Sequence, residues 1–134
     1  MRKLAGAFLA LLFLSLASGC GSSGAPIEGT VTYDGKPVPA GAISFIAGDA
    51  KSGGSGGGAI VNGRYQIPPE VGIKPGTYRI EIRWAKPTGK QFKSESGDML
   101  DVTEEGLPEK YNTKSELTKE VKSGPNKIDF ELPK

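Results

Sequence analysis

Four carboxylates lie close together in the second half of the chain, where they could bind a metal ion or exchange protons. The group comprises Asp98, Asp101, Glu104 and Glu105. Oxygen-rich clusters can bind Ca²⁺, and a pair of carboxylates can serve as acid and base. The spacing lacks the alternate-residue pattern of a Ca²⁺-binding loop, and lysines flank the group. Solvated surface charge is therefore favoured, with a weak Ca²⁺ site as the alternative.

The groups that would support catalysis beside these carboxylates are missing. The chain contains no His, and its one cysteine is Cys20. Nothing else in the chain supplies a nucleophile or a strong metal site. We therefore expect that the protein is not an enzyme and that it holds no cofactor and no metal.

Two glycine-containing segments resemble parts of phosphate-binding loops. Gly54, Gly56 and Ala59 have the G-x-G-x-x-A spacing, but the segment leads into the apolar residues "AIV". A dinucleotide loop must open a helix, whose N-terminus meets the phosphates. The second segment, "TGKQ" at residues 88–91, lacks the upstream Gly and the Ser or Thr of a P-loop. The first segment is therefore predicted to be a low-complexity loop, with a phosphate site as the alternative, and the second is not a P-loop.

Aromatic side chains offer a different kind of site. Trp84 falls in phase with Ile80 and Ile82, which predicts a place in the core or at its rim. The alternative is a sugar-binding face built from Trp84 and the tyrosines, because flat aromatic rings can stack on sugars. The tyrosines in question are Tyr33, Tyr65, Tyr78 and Tyr111. Tyr111 is expected to tie its loop back to the folded domain.

The N-terminus has the organisation of a secretory signal peptide. Arg2 and Lys3 precede an apolar run from Leu4 to Leu16, and small residues follow. This order of a basic start, a short apolar stretch and a small-residue cleavage site is typical of export signals. The apolar stretch is too short to cross a hydrocarbon core of ~30 Å as a helix. We therefore expect export, with a transmembrane anchor as the weaker interpretation.

The cysteine stands where a lipid would be attached. The segment "LASGC" at residues 16–20 resembles the lipobox of bacterial lipoproteins, although Ala17 stands where Leu is usual. The resemblance implies a signal peptide over residues 1–19 and an acylated Cys20 that holds the chain on a lipid bilayer. The alternative is a secreted protein with Cys20 free. Gly21 follows Cys20, where Asp would favour inner-membrane retention, so outer-membrane delivery is expected.

The mature chain is electrically balanced. The sequence has 17 Lys and Arg against 15 Asp and Glu, and Arg2 and Lys3 of the signal peptide account for the difference. Nucleic acid is not an expected partner, because binding it requires a concentrated basic face. Residues 20–26 are expected to be the lipidated cysteine and a flexible tether, because Gly and Ser have little bulk to pack. One folded domain is expected over residues 27–134.

The pattern of the domain predicts an all-β fold. Alternating apolar residues at 27–33, 42–47, 58–61, 64–68, 77–84, 116–122 and 126–132 indicate seven strands. The "DG" at 34–35 and the "NG" at 62–63 predict tight turns. Frequent turns and no helical period favour an antiparallel seven-stranded β-sandwich of Greek-key type. Residues 86–110 are expected to form a long charged excursion, with a short strand near Met99–Val102 and one helical turn after Pro108.

Two segments resemble one domain family. "IEGTVTYDGKPVPAGAISF" at 27–45 is similar to the opening of carboxypeptidase regulatory-like domains, and "NGRYQIPPEVGIKPGTYRIEI" at 62–82 is similar to their middle hairpin. The resemblance implies a transthyretin-like sandwich. Hydroxyisourate hydrolases share that fold, but their site uses histidines, which this chain lacks.

These observations predict a membrane-anchored envelope lipoprotein facing the periplasm or the cell exterior, on the cell membrane or the outer membrane. Its single domain is expected to be a non-catalytic binding or structural module. An exposed strand edge or the 86–110 excursion would contact an envelope protein. The alternative is a carbohydrate-binding module that takes a polysaccharide.

Overall fold

Residues 24–48 and 54–134 form an all-β structure, described here by a computed structural model. The predicted signal peptide, Cys20, the start of the tether and part of the glycine-rich loop lie outside these residues. No α-helix occurs in the two described ranges, and single 3₁₀ turns cover Pro69–Val71 and Glu109–Tyr111. The strands are Ile27–Tyr33 (β1), Lys36–Pro37 (β2), Ala40–Ala47 (β3), Gly56–Val61 (β4), Arg64–Ile67 (β5), Gly76–Lys93 (β6), Met99–Glu105 (β7), Thr118–Val121 (β8), Asn126–Lys127 (β9) and Phe130–Leu132 (β10).

The core forms because successive side chains of a strand point to opposite faces. In the first half of β6, Tyr78, Ile80 and Ile82 are fully buried, while the side chains between them reach the surface. Phe45 of β3 meets the ring of Tyr78 with centroids 6.2 Å apart. The other buried apolar residues of the described chain are Ala25, Ile27, Val31, Val38, Ile43, Ile60, Tyr65, Ile67, Ile73, Leu107, Tyr111, Val121, Phe130 and Leu132.

Two tight turns fix the register of the hairpins. Asp34 and Gly35 have φ of 51° and 75°, and Asn62 and Gly63 have φ of 50° and 74°. Positive φ at both central residues is the geometry that matches the twist of the flanking strands. The two turns predicted from the "DG" and "NG" pairs are therefore confirmed.

The sheet folds over on itself. Its strands follow the order β10-β1-β5-β4-β3-β6-β7, with β2 and β9 also paired to β1, and β8 also paired to β6. Three strands separate β1 from β6 along this path, yet the rings of Tyr33 and Trp84 have centroids only 6.5 Å apart. This closure brings β1 and β6 together around one core.

The pairing differs from the sequence prediction in two respects. Most neighbours are antiparallel, as predicted, but β9 and β10 run parallel to β1 because the chain crosses from β8 to the far side of β1. The described residues contain ten strands in place of the predicted seven. Lys36–Pro37 pairs with β1, Met99–Glu105 is a full strand, and the predicted last strand divides at Ile128 and Asp129.

The folded part begins before Ile27. Gly24 N donates to Pro69 O at 2.7 Å, and Ala25 N donates to Ile73 O at 2.7 Å. A Cβ on Gly24 would meet Ile73 N at 2.4 Å, so the chain lies directly against its neighbour. The prediction of a flexible tether was therefore wrong for Gly24–Pro26, because backbone hydrogen bonds hold this segment on the domain without needing bulky side chains.

Candidate functional site

Residues 85–105 form a two-stranded ribbon that extends from the domain. The second half of β6, Ala85–Lys93, pairs with β7 from Ala85 opposite Glu105 to Lys93 opposite Met99. Nearly every residue of both segments is exposed. The predicted charged excursion therefore contains more regular strand than the short stretch expected near Met99–Val102. That strand and the helical turn after Pro108 are confirmed.

A short polar turn closes the far end of the ribbon. Ser94 N donates to Asp98 O at 2.8 Å, and Gly97 N donates to Ser94 O at 3.0 Å. Gly97 has φ of 94°, a conformation that glycine adopts without a Cβ clash. Ser96 Oγ donates to a carboxylate oxygen of Asp98 at 2.9 Å. These bonds stabilise the reversal locally, so the ribbon needs no core of its own to form it.

Three large apolar side chains are exposed beside this turn, and we call them the apolar tip. They are Phe92, Met99 and Leu100, with 50%, 58% and 45% of their surface exposed. Phe92 lies opposite Leu100, whereas Met99 lies opposite Lys93 on the other face. Both faces of the ribbon end therefore carry apolar surface. Their signal in the sequence is weak, because Phe92 and the pair Met99-Leu100 are isolated apolar residues within the charged segment 86–110.

The charges of the ribbon are divided between its two strands. Lys86, Lys90 and Lys93 belong to β6, whereas the carboxylates belong to β7 and the turn. Within the described ranges, none of the three lysines has a carboxylate oxygen within 4.0 Å. Lys86 Nζ lies instead 5.8 Å from the centroid of the Trp84 ring. One strand therefore presents positive charge and the other negative charge.

The four carboxylates singled out from the sequence do not converge. Asp98 bonds to the turn, and Asp101 Oδ1 accepts a hydrogen bond from Gln91 Nε2 at 2.8 Å. Glu105 Oε1 accepts from the backbone N of Trp84 at 2.9 Å and of Leu107 at 3.0 Å. In the part of the chain that the structure describes, no group of three or more His, Cys, Asp or Glu side chains is arranged to hold a metal ion. Glu105 therefore stabilises the base of the ribbon by accepting these two backbone hydrogen bonds.

Trp84 lies at the junction of the domain and the ribbon. Its ring is partly buried and packs against the core. Gly106 makes room for it, since a Cβ there would lie 2.5 Å from Trp84 Cε3. Its Nε1 is buried and is the single such side-chain nitrogen or oxygen, within the described ranges, that lacks a hydrogen-bond partner. The structure thus places Trp84 at the rim of the core.

A pocket opens beside Trp84, and we call it the aromatic pocket. Its volume is about 390 Å³, and the Tyr33 and Trp84 rings form part of its wall. The remaining lining residues are Asp34, Lys36, Pro37, Val38, Pro39 and Lys134. Aromatic rings next to a few charged groups give a wall that can stack on a flat apolar ligand surface and bond to hydroxyls.

A wider depression of about 620 Å³ lies on the outer side of β1, β4 and β5. Charged and amide side chains, including Glu28, Arg64 and Lys127, account for much of its wall. Tyr65 reaches it but is only 3% exposed. It offers no aromatic surface for a ligand, so we regard the aromatic pocket as the better candidate.

The other tyrosines proposed for a sugar-binding face are buried and bonded to the backbone. Tyr65 Oη donates to Ile128 O at 2.6 Å, Tyr78 Oη to Lys74 O at 2.7 Å and Tyr111 Oη to Pro133 O at 2.5 Å. Burial, with a smaller contribution from the charge of Asp129, raises the pKa of Tyr65 well above its ordinary value. These three rings stabilise the fold, and Tyr111 ties its loop to the C-terminal segment as predicted.

The two glycine-containing segments lie mostly within strands, so the loop prediction is wrong for Gly56–Ala59, whereas Gly54 precedes β4 and Gly89 has a φ of 83°. Gly56 and Ala59 lie in β4, where a Cβ on Gly57 would meet Ile43 O at 2.1 Å, so glycine permits close strand packing. Thr88 and Lys90 lie in β6, and Thr88 Oγ1 donates to Val102 O at 2.9 Å. Neither segment opens a helix, so neither forms a helix-terminal phosphate site.

No protein-family model, curated protein or solved structure matches this chain. In residues 24–48 and 54–134, no helix has the length and apolar character needed to span a bilayer. The geometry therefore points to two candidate binding surfaces, the ribbon and the aromatic pocket.

Proposed function

We propose that this protein is an envelope lipoprotein whose domain is a non-catalytic binding module and whose ribbon contacts a partner protein. In this proposal, residues 1–19 are an export signal and acylated Cys20 holds the chain on a bilayer, facing the periplasm or the exterior. The "LASGC" segment and the short apolar run before it support the anchor. Neither a nucleic acid nor a cofactor forms part of the proposal.

The fold part of the proposal is a transthyretin-like sandwich of the carboxypeptidase regulatory-like kind. The quoted sequence segments support it, and so does the closure of the sheet around one core. On this interpretation β2 and β7 are additions to a seven-stranded framework, and β9 with β10 corresponds to one interrupted strand. A fold of this kind carries no activity by itself, so the function has to be argued from exposed surfaces.

The exposed apolar tip is the observation that carries the binding proposal. Buried aromatic and aliphatic anchors dominate the energetics of protein interfaces. Phe92 and Leu100 lie side by side across the two strands, where a partner would cover both at once. The ribbon adds no core residue to the domain, since its side chains are exposed or, for Ser94 and Val102, only partly buried. We therefore assign the ribbon to contact with a partner.

In-cell crosslinking of the full chain tests the proposal. We expect the wild-type protein to capture a specific envelope protein, identified by mass spectrometry, and the Phe92→Ser/Leu100→Ser variant to lose it. Val61→Ser is the matched control, because Val61 is 60% exposed but lies in β4 of the domain. Equal capture by the ribbon variant and the control would overturn the ribbon assignment. Cys20→Ser tests the anchor separately, through membrane fractionation.

The aromatic pocket supports carbohydrate binding as a second candidate function. Trp84 and Tyr33 offer ring surface there, and Asp34 and Lys36 offer hydrogen-bonding groups. If a polysaccharide binds, affinity electrophoresis will show retarded migration that Lys36→Ala reduces and Phe92→Ser does not change. Lys36 is exposed, so its substitution leaves the core intact. Unchanged migration of the wild-type protein in every polysaccharide tested would count against this candidate.

A further inference from the structure

Both outer edges of the ribbon lack a neighbouring strand. In the described chain, β7 pairs with β6 alone, and β3 pairs with β6 only as far as Trp84. From Ala85 onward, each strand of the ribbon therefore carries backbone N–H and C=O groups that no further strand meets. Such an edge is a template on which another strand can be added.

The outer edge of β6 is protected against strand addition. Trp84 O accepts a hydrogen bond from Gly106 N and so points towards the β7 side. Backbone direction alternates along a strand, which turns the nitrogen of Pro87 to the outer edge, where it has no hydrogen to donate. The register of the pairing then shifts between Pro87 and Gln91. This half of β6 also contains three lysines, Lys86, Lys90 and Lys93. Proline, irregular pairing and lysine are the features that blunt an edge.

The outer edge of β7 has none of these features. Its sequence, "MLDVTEE", contains no Pro, Gly, Lys or Arg, and the extra residues of the register shift belong to β6. Val102 O accepts from Thr88 Oγ1 and so points towards β6. Alternation then turns the backbone groups of Asp101 and Thr103 to the outer edge. This edge is regular and open.

The side chains of β7 define the charge of a strand that would fit there. Asp101, Glu104 and Glu105 are its charged residues, and of these, within the described ranges, only Glu105 has a cationic neighbour, with Arg83 Nη1 at 3.7 Å. Within the described ranges, no Lys or Arg nitrogen lies within 4.0 Å of an Asp101 or Glu104 oxygen. Leu100, Val102 and Glu104 share one face of the strand, whereas Asp101 and Glu105 lie on the other face. A basic strand with apolar residues at alternate positions complements this pattern.

We propose that the outer edge of β7 takes an extended basic segment of the partner protein as an added strand. This inference rests on the binding function proposed for the ribbon and specifies its chemistry. A second copy of the chain is a poorer occupant, because its one basic ribbon strand is β6, whose outer edge is blocked at Pro87. Backbone hydrogen bonds supply the attachment, and the carboxylates select the positive charge.

Titration with synthetic peptides tests this inference on the intact chain. The probes are an eight-residue peptide in which lysine alternates with valine and its counterpart with glutamate in place of lysine. We expect the lysine peptide to bind and to shift the amide resonances of Asp101 and Thr103, with affinity that falls as salt rises. Equal binding of the glutamate peptide would overturn the inference.

Two variants separate the backbone contribution from the charge. Thr103→Pro removes an outward N–H without breaking the pairing of β7 with β6, and we expect at least a tenfold loss of affinity. Thr103→Val is the matched control that keeps the N–H, and it should bind like wild type. The Asp101→Asn/Glu104→Gln variant keeps the strand but should weaken binding several-fold and flatten its salt dependence. Identical affinities for Thr103→Pro and Thr103→Val would overturn strand addition.

The crosslinking assay distinguishes failure of this inference from failure of the proposed function. If Phe92→Ser/Leu100→Ser loses the captured protein and Thr103→Pro keeps it, the ribbon binds its partner by another route and only this inference fails. If both variants keep the captured protein, the function proposed for the ribbon fails as well. Dimerisation in sedimentation that Thr103→Pro abolishes would overturn the assignment of a partner protein in favour of self-pairing.

Discussion

One strand, β6, passes through two environments, and its halves differ in what stabilises them. In the first half, Tyr78, Ile80 and Ile82 are each 0% exposed. All three pair with β3 on one side, and on the other side Tyr78 pairs with β8 and Ile80 bonds to Leu117, just before β8. In the second half, Phe92 is 50% exposed and only β7 pairs with the strand. Burial stabilises the first half, whereas pairing and a local turn maintain the second. The same strand can therefore support a core and present a surface.

The largest effect is expected in the buried half. Ile80→Ala should reduce the free energy of unfolding by about 2–5 kcal/mol, because it removes fully buried methyl groups and leaves a cavity in the core. Chemical denaturation monitored by circular dichroism measures the change. A loss below about 1 kcal/mol would show that the first half of β6 is not as tightly packed as its burial indicates.

A smaller effect is expected at the junction of the halves. Gly106→Ala should cost about 1–3 kcal/mol, because its Cβ would lie 2.6 Å from Trp84 Cδ2 and the ring must move. Trp84 is the chain's one tryptophan, so its fluorescence emission reports that movement directly. Gly54→Ala is the control, since a Cβ there meets nothing within 4 Å. An unchanged emission spectrum would contradict the tight junction.

The buried tyrosine of β5 gives the domain a pH dependence. Because the pKa of Tyr65 is raised in the folded state, the folded protein holds this proton at pH values where the unfolded chain, with a pKa of 10.0, releases it. Its contribution to stability is full below pH 10 and declines as the pH rises towards the folded-state pKa. Tyr65→Phe should cost about 1 kcal/mol at neutral pH through the lost bond to Ile128 O. The variant should also lose less stability than wild type above pH 10.

Thermal unfolding of both proteins from pH 8 to pH 11 checks this prediction. Parallel curves for wild type and Tyr65→Phe across that range would mean that Tyr65 does not couple folding to protons. Tyr65 lies in β5 of the domain and Phe92 lies in the ribbon. The Phe92→Ala variant should therefore have the same pH dependence of stability as wild type.

The smallest effect is expected on the ribbon. Phe92→Ala should change the free energy of unfolding by no more than about 0.5 kcal/mol, because half of its surface is already in water. Denaturation beside Ile80→Ala compares an apolar truncation in each half of β6. A loss as large as that of Ile80→Ala would remove the distinction between the two halves.

The same contrast explains which parts of the fold the sequence predicts. Strand β1 and the first half of β6 can be predicted from the sequence because each buries one face, which imposes an alternation of apolar and polar residues. The turns at Asp34-Gly35 and Asn62-Gly63 can be predicted because few residue pairs accept positive φ at both positions. The ribbon buries neither face, so its residues show no such alternation, and the sequence predicts only the short strand near Met99–Val102 within it.

Other features depend on pairing that residue patterns do not encode. Ile128, Phe130 and Leu132 alternate with polar residues, so one continuous strand is predicted. In the structure Ile128 N donates to Glu28 O, but Thr30 N bonds to the side chain of Asp129 and not to a backbone oxygen. The strand therefore divides at this point. Parallel pairing with β1 likewise depends on the route of the chain. For the candidate sites, the phase of Trp84 correctly indicates the core rim, whereas the aromatic pocket requires the turn after β1 to meet β6, which local sequence does not reveal.

The length of β6 has a mechanical consequence. Gly24 contacts Ile73, just before the strand begins, while the apolar tip lies where the strand ends. Eighteen residues at ~3.3 Å each give an upper limit of about 59 Å for the span between these points, and the register shift between Pro87 and Gln91 shortens it. Outside that shift the strand is extended and paired with β3 or β7, so it acts as a spacer whose reach is set by its length. A surface that holds the N-terminal side of the domain would thus present the tip at a height given by the number of residues in β6, and shortening the ribbon by a residue pair would lower that height by about 7 Å.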